Sequence, residues 1–330
     1  SSILIKIDQT YFFKVAMNLD TIMNIKRYHT PVMLTEVIEN LNVVQGGRYV
    51  DGTLGEGGHS EAILATSQPG GQLLGIDADH EAIMITRERL SDYSNCSFFV
   101  NSKFSKIKEI ALDLEFVPVH GVLLDLGISS LQLDFENRGF SFKDNSNLDM
   151  RFDISQDENA SKIINSFSEK DLSDLIFKFS EDPNSKRIAR AICEKRPIIT
   201  SKDLAKVIQE ADLKVKRKHH PATLTFQALR MAVNKEVDEL IEALQGAISI
   251  LGSGGRLVII TYHSIEDRIV KKFIKEGSGF CQCPPINFEC TCNPEKILKI
   301  INKKPIIPSD TEIKINSRSR SAKIRVIERL

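Results

Sequence analysis

The first 130 residues alternate between short apolar runs and segments with helical periodicity. Four segments are candidate strands and lie at residues 48–51, 72–77, 97–100 and 121–125. Helical patterns start near His59, Asp79 and Phe104, and Asp79 is a residue type that commonly caps a helix N-terminus. Because strands and helices alternate, the sequence predicts an α/β fold with a doubly wound, mostly parallel sheet.

A second region, residues 131–234, interrupts this alternation. It is polar and contains short helical patterns without a convincing strand, so we expect a helical insertion. The alternation resumes with a helix at residues 237–251, which we expect Gly252, Gly254 and Gly255 to end, and with a core strand at residues 256–260. Ser264 then has the position of an N-cap in a capping box, and residues 313–315 and 323–326 suggest an antiparallel edge.

These patterns divide the chain into three parts. Residues 24–130 and 235–330 are expected to form one domain around the sheet, and residues 131–234 the helical insertion. Residues 1–23 hold apolar pieces that charged residues interrupt, which predicts a disordered extension rather than a signal peptide.

Composition narrows the functional classes. The chain has 330 residues and no uninterrupted apolar run of transmembrane length, so we expect a cytoplasmic protein without a membrane partner. It has 44 basic and 44 acidic residues, so any contact with nucleic acid must depend on local patches of charge. Six cysteines in a chain of this length do not indicate a secreted disulfide scaffold.

The glycine-rich run at residues 51–59 (DGTLGEGGH) lies between a predicted strand and a predicted helix, where it allows backbone to approach a ligand closely. Asp77, about 20 residues beyond the loop, has the position of an acid that accepts ribose hydroxyls. The loop lacks the third glycine of a dinucleotide fingerprint, and Asp51 would repel a pyrophosphate. A positively charged sulfonium suits Asp51 better, so S-adenosylmethionine is favoured over NAD.

A third acid, Asp125, follows the apolar run Val122-Leu123-Leu124, which reads as a buried strand. Because ligands of open α/β sheets bind at the carboxyl ends of the strands, we expect Asp51, Asp77 and Asp125 to converge on one crevice.

From about residue 28 to the C-terminus, the chain resembles the ribosomal small-subunit RNA methyltransferase H family. The matching stretches are residues 28–34 (YHTPVML), 51–59 (DGTLGEGGH), 123–130 (LLDLGISS), 138–142 (RGFSF), 148–151 (LDMR), 186–192 (KRIARAI), 220–223 (HPAT), 225–230 (TFQALR), 262–268 (YHSIEDR) and 317–323 (SRSRSAK). Their number and order make the resemblance specific.

The resemblance implies a Rossmann-like methyltransferase sheet and methyl transfer from S-adenosylmethionine to the exocyclic N4 of a cytidine in the decoding region of small-subunit ribosomal RNA. It implies that the insertion is the RNA-recognition domain, that DNA is not a substrate, and it leaves a homodimer open. It also implies cofactor contacts from Gly57, Gly58, His59, Asp77, Phe104, Asp125 and Gln132.

Two residues are candidates for the catalytic group. Many amino-methyltransferases place an Asp/Asn-Pro-Pro-Tyr/Phe motif at the reacting amine, whereas this chain has Asp125-Leu126-Gly127-Ile128. Asp125 has the position of the acid in that motif and is one candidate, but no proline rigidifies the turn and no aromatic follows to stack on the base. His263, at the tip of a later strand, is the other, as a base or as a turn residue whose polar atoms are satisfied locally.

Basic residues fall into three patches that favour contact with an RNA backbone over a merely solvated surface. The candidate RNA-binding residues are Lys186, Arg187, Arg190, Lys216, Arg217, Lys218, Arg230, Arg318 and Arg320.

Four cysteines lie within twelve residues, as two C-x-C pairs at Cys281, Cys283, Cys290 and Cys292. This pairing is tighter than the usual spacing of zinc ligands. Structural zinc, free or redox-active thiols, and disulfides all remain open for this segment.

Two other functional classes compete with a methyltransferase. An NAD-dependent oxidoreductase is disfavoured by Asp51 and by the missing third glycine. A non-catalytic RNA-binding assembly factor that keeps a cofactor pocket would share every sequence feature, and only an assay of methyl transfer separates it.

Overall fold

A computed structural model of the chain describes residues 29–129, 138–142, 145–211, 220–280 and 295–330. Its centre is a seven-stranded sheet with the order β3-β2-β1-β4-β5-β7-β6. The strands are β1 Arg48–Asp51, β2 Gln72–Asp77, β3 Ser97–Asn101, β4 Val119–Asp125, β5 Leu251–Thr261, β6 Leu298–Ile300 and β7 Lys323–Arg329. Strands β1 to β5 are parallel, and β7 is antiparallel to both β5 and β6. The predicted α/β class with a mostly parallel sheet is confirmed.

Helices flank this sheet and extend beyond it. Those beside the sheet are α1 Leu34–Leu41, α2 Gly58–Ser67, α3 His80–Arg89, α4 Ile107–Asp113, α10 Glu236–Ile250, α11 Ser264–Gly277 and α12 Asp310–Ile315. Those of the predicted insertion are α5 Ala160–Ser166, α6 Glu169–Ser180, α7 Ser185–Glu194, α8 Ser201–Ala211 and α9 Ala222–Val233. In the described part of the chain, no helix combines the length and apolar character needed to span a bilayer.

The sheet separates two hydrophobic cores because successive side chains of a strand point to opposite faces. Leu74 and Leu124 pack with α10 on one face, while Leu73 and Leu123 pack with α1 and α2 on the other. Strands buried on both faces have continuous apolar runs, and this explains why the sequence predicts them well.

Helices α5 to α9 surround a third core, which contains residues such as Ile163, Leu172, Ile188 and Leu204. The domain boundaries at residues 130 and 235 remain predictions.

The predicted end of α10 is correct to within one residue, but the predicted role of the glycines as a helix stop is wrong. The helix ends at Ile250, and Gly252, Gly254 and Gly255 lie inside β5, which begins at Leu251. The register of β5 against β4 shifts between Val119 and Gly121. Glycine is tolerated at such an irregularity because it accommodates the bend without a side chain.

Two further predictions near the C-terminus are corrected. The N-cap of α11 is His263 rather than Ser264: its side chain accepts the N–H of Glu266, whose carboxylate accepts the N–H of His263. Residues 313–315 belong to α12, capped by Ser309, and do not form a strand. The edge partner of β7 is β6.

Candidate active site

Asp51, the last residue of β1, holds the glycine-rich loop in place through two hydrogen bonds. Its carboxylate accepts the hydroxyl of Ser60 at 2.7 Å and the N–H of Thr53 at 3.1 Å. Asp51 is buried, and burial raises its pKa while the bond from Ser60 opposes that rise. Asp51 therefore links the loop to α2. It is not among the residues that line the cavity described below.

Asp77 lies at the carboxyl end of β2, facing the loop. Its Oδ2 accepts the N–H of Gly55 and its Oδ1 that of Asp79, both at 2.8 Å. Burial raises the pKa of Asp77 to about 6, although these two bonds oppose the rise. Its neighbour Asp79 caps α3, as predicted, by accepting the N–H of Glu81.

Asp125 ends β4 and lies between two aromatic side chains. Its Oδ1 accepts the hydroxyl of Tyr262 at 2.7 Å, and its Oδ2 is 3.8 Å from Nδ1 of His59. Burial raises the pKa of Asp125 to about 7, while the Tyr262 bond lowers it. The backbone N–H of Asp125 also donates to the Thr53 hydroxyl at 2.6 Å, so the loop and β4 hold each other.

His59 is buried in α2, and its Nε2 lies 2.9 Å from the carbonyl oxygen of Val32. A carbonyl only accepts, so Nε2 carries the proton and Nδ1 faces Asp125 without one. Burial lowers the pKa of His59, which keeps the ring neutral.

A cavity of about 440 Å³ opens at these strand ends. Of the residues predicted to bind cofactor, Gly58, His59, Asp77, Phe104 and Asp125 line it. Gly57 does not: it adopts φ +75° ahead of α2 and packs against Thr86. Gln132 lies outside the described residues.

The cavity wall is completed from the insertion side by Phe152 and Met231, together with Arg230 at the end of α9. Asn234 holds this wall in place, because its side chain accepts the N–H of Phe152 and donates to the carbonyl of Met150, both at 2.7 Å. Arg138 adds a link to the sheet, donating to Asp79 at 2.5 Å and to the carbonyl of Phe152 at 2.8 Å.

The lining is rich in carboxylates. It contains five carboxylates and two guanidinium groups, those of Glu56, Asp77, Asp125, Glu236 and Glu266 and those of Arg230 and Arg318. The excess of negative charge favours a ligand that carries positive charge.

Glu236, His263 and Glu266 form a cluster on this wall, with ligand-type atoms within 4.8 Å of one another, as a metal site would need. However, both carboxylate oxygens of Glu236 accept bonds from Arg230, at 2.7 and 2.8 Å. Burial raises the pKa of Glu236 against the opposing effect of Arg230. The arrangement is that of an ion-pair network, with Arg230 supplying the positive charge.

Glu266 is the buried member of this cluster. Its Oε2 accepts the N–H of Tyr262 at 2.8 Å, and its Oε1 lies 3.0 Å from Nε2 of His263 without the alignment of a hydrogen bond. Burial raises the pKa of Glu266, but the interactions with His263, Arg230 and the Tyr262 N–H together lower it.

Comparison with known proteins identifies the family. A model of the MraW methylase family matches residues 26–330. The chain belongs to the MraW methylase family. A ribosomal RNA small subunit methyltransferase H of Dehalococcoides mccartyi is 54% identical over 302 residues, which cover 92% of this chain and 86% of that protein. One from Clostridium botulinum is 45% identical over 306 residues, covering 92% of this chain and 99% of that protein.

In this member of the MraW methylase family, the predicted RNA-binding residues fall into different settings. Lys186, Arg187 and Arg190 are exposed on α7, and Arg320 is exposed near β7. Arg318 is half-buried at the cavity, and Arg230 is paired with Glu236, so neither belongs to an open basic surface. Lys216, Arg217 and Lys218 lie outside the described residues, as do Cys281, Cys283, Cys290 and Cys292.

Tyr262, Glu236 and Glu266 line the cavity although the sequence patterns did not assign them a role there. Tyr262 and Glu266 flank the predicted candidate His263, and Glu236 follows the insertion directly. In the sequence, the only indications of a role in the cavity were that Tyr262 and Glu266 lie near the end of a predicted strand and that Glu236 lies just after the predicted insertion.

Proposed function

We propose that the protein transfers a methyl group from S-adenosylmethionine to the exocyclic N4 of a cytidine in the decoding region of small-subunit ribosomal RNA. The observation that carries the proposal is the carboxylate-rich cavity beside the glycine loop, at the carboxyl ends of β1, β2 and β4. The relatives named as ribosomal RNA small subunit methyltransferases support the choice of substrate.

The residues of the cavity fit a nucleoside cofactor with a positive charge. Asp77 would accept the ribose hydroxyls, and Phe104, half-buried on the cavity wall, would pack on adenine. The loop backbone at Gly55 and Gly58 would allow the close approach, and the excess of carboxylates would balance a sulfonium. The cofactor would supply an electrophilic methyl group.

A cytosine amine is a weak nucleophile because its lone pair is delocalised into the ring, so it needs alignment and a proton acceptor. Asp125 is suited to accept the proton because burial brings its pKa to about 7, close to the pH at which a general base is most effective. Tyr262 orients the carboxylate by donating to one of its oxygens.

His263 is the weaker of the two catalytic candidates. Its Nδ1 accepts the N–H of Glu266 at the start of α11, so its remaining proton is on Nε2. Neither nitrogen then offers a lone pair to a substrate while the cap is intact. We propose that His263 caps the helix and holds Glu266, and that Asp125 is the base.

The direct test is methyl transfer to purified small ribosomal subunits that lack the modification. Labelled S-adenosylmethionine is the donor, and nucleosides of the digested RNA are identified by mass spectrometry. N4-methylcytidine from a decoding-region fragment is the expected product. Label on another base would contradict the assigned specificity, and cofactor binding without transfer would favour a non-catalytic assembly factor.

A further inference from the structure

The Arg230–Glu236 pair links the end of α9 to the start of α10 on the wall of the cavity. Both side chains are almost fully buried, with 13% and 12% exposed. The guanidinium donates from Nε to Oε1 and from Nη2 to Oε2, a bidentate arrangement that fixes both planes.

This pair keeps unused hydrogen-bonding capacity. Nη1 of Arg230 makes no hydrogen bond to a described residue, and each oxygen of Glu236 accepts only one bond from the described residues. Since both residues line the cavity, the remaining donor and acceptor positions are available to a ligand there.

The pair and the proposed base, Asp125, line the same cavity. Glu266 interacts electrostatically with Glu236 and Arg230 on one side and raises the pKa of Asp125 on the other. Glu266 is therefore within electrostatic range of both Asp125 and Glu236, and all three carboxylates line the same cavity.

We propose that the Arg230–Glu236 pair reads the edge of the target base. Glu236 accepts one hydrogen of the cytosine N4 amine, and Nη1 of Arg230 donates to a ring acceptor, N3 or O2. This inference rests on the proposed function and assigns the residues that set its base specificity.

The chemistry of the amine supports two acceptors. An exocyclic amine has two hydrogens, whereas one oxygen of Asp125 is already occupied by Tyr262. With Asp125 accepting one hydrogen, Glu236 can accept the other. Uracil presents an oxygen at the same position, which would face the Glu236 carboxylate with no hydrogen between them.

The test measures binding of free cytidine and uridine to the protein saturated with S-adenosylhomocysteine, by ligand-observed NMR titration. Wild type is expected to prefer cytidine by about tenfold, the discrimination expected from one good contact to a base edge. Glu236→Gln is expected to reduce this preference to about twofold, since an amide can also donate to the uracil oxygen.

Glu239→Gln is the matched control. Glu239 lies on the same helix, is similarly buried and pairs with Lys103 at 3.1 Å, but it does not line the cavity. It should keep the tenfold preference. Equal affinity of each variant for S-adenosylhomocysteine shows that the fold is retained.

If Glu236→Gln kept the wild-type preference, the inference would be overturned while the proposed function stood. If wild type did not prefer cytidine, the base identity in the proposed function would fail as well. If both variants lost the preference for cytidine equally, the effect would belong to α10 as a whole, and the role of Glu236 would be overturned.

Discussion

At the scale of single residues, Asp125 makes the most specific prediction about the reaction. The ionised carboxylate is the form that accepts a proton, so the transfer rate should rise with pH through about 7, the pKa that burial gives this residue. Asp125→Asn should lower the single-turnover rate on the order of 100- to 10,000-fold, the usual contribution of a general base. Rapid-quench measurements across pH 5.5–9 would check both.

Tyr262→Phe provides the internal control for that assignment. The hydrogen bond from Tyr262 lowers the pKa of Asp125, so its removal should move the rise in transfer rate to higher pH. The maximal rate at high pH should change less than it does in Asp125→Asn. An unchanged profile would mean that another group controls the pH dependence.

Asp77 predicts a pH dependence of cofactor binding. In the protein without cofactor, its pKa of about 6 exceeds the ordinary 3.8, so the folded state holds the proton more tightly than the unfolded state. Its contribution to stability is therefore complete below pH 3.8 and lost as pH rises through about 6. A cationic ligand favours the ionised form, so S-adenosylmethionine affinity should increase between pH 5 and 7.

Asp77→Asn should remove the part of this increase centred near pH 6. It should also weaken binding at pH 8 by about 1.5–3 kcal/mol, the cost of losing hydrogen bonds to a charged acceptor. Calorimetry in buffers of different ionisation enthalpy would measure the affinity and the protons released. A variant that folds and binds like wild type at every pH would exclude Asp77 from the cofactor site.

At the scale of elements, the glycine loop depends on Gly57. A Cβ at this position would lie 2.6 Å from Cγ2 of Thr86, and Thr86 is held by its hydroxyl bond to the carbonyl of Gly55 at 2.9 Å. Gly57→Ala should therefore cost about 1–2 kcal/mol for the positive φ and about 1–3 kcal/mol more for the overlap. Urea unfolding would give the free energy.

Gly254→Ala separates the two contributions. Gly254 has nearly the same φ, +78°, but a Cβ there would meet nothing within 4 Å. Gly254→Ala should therefore lower the free energy of unfolding only by the cost of the positive φ, about 1–2 kcal/mol. Equal losses at the two positions would show that the contact with Thr86 has no energetic consequence.

Elements with a strong local signal were predictable, and those decided by distant partners were not. The segments that became β2 and β4 contain apolar runs because both faces of these strands are covered. By contrast, Gly254 and its neighbours have the composition of a helix stop but lie within β5, in the irregular stretch between its paired residues Leu251 and Arg256. Ile313 and Ile315 alternate with a polar residue as in a strand, yet both lie in α12, the helix that Ser309 caps.

At the scale of the whole molecule, the candidate site joins segments far apart in the sequence. Sequence spacing indicated Asp77 and Asp125 because each ends a recognisable strand. It could not indicate that Tyr262 donates to Asp125 across 137 positions, or that Arg230 pairs with Glu236 at the cavity instead of lying on an open basic surface. The first pairing depends on β4 and β5 being neighbours in the sheet, and the second on how the end of α9 meets the start of α10.

The remaining basic residues make the last prediction, which concerns how the molecule meets RNA. Lys186, Arg187 and Arg190 are exposed along α7 of the predicted insertion, and an RNA backbone would release counterions there. Changing all three to Glu should weaken binding of a small-subunit RNA fragment. The salt slope should fall by up to about 0.7 for each phosphate that the protein no longer neutralises.

The matched control changes three exposed lysines of α11 to Glu, namely Lys271, Lys272 and Lys275. The two triple variants have the same change in net charge, so a general electrostatic effect would alter both equally. Filter binding across a salt series, with S-adenosylmethionine affinity as a check on folding, distinguishes them. A selective loss in the α7 variant would place the RNA backbone on the insertion, whereas equal losses would contradict a defined contact there.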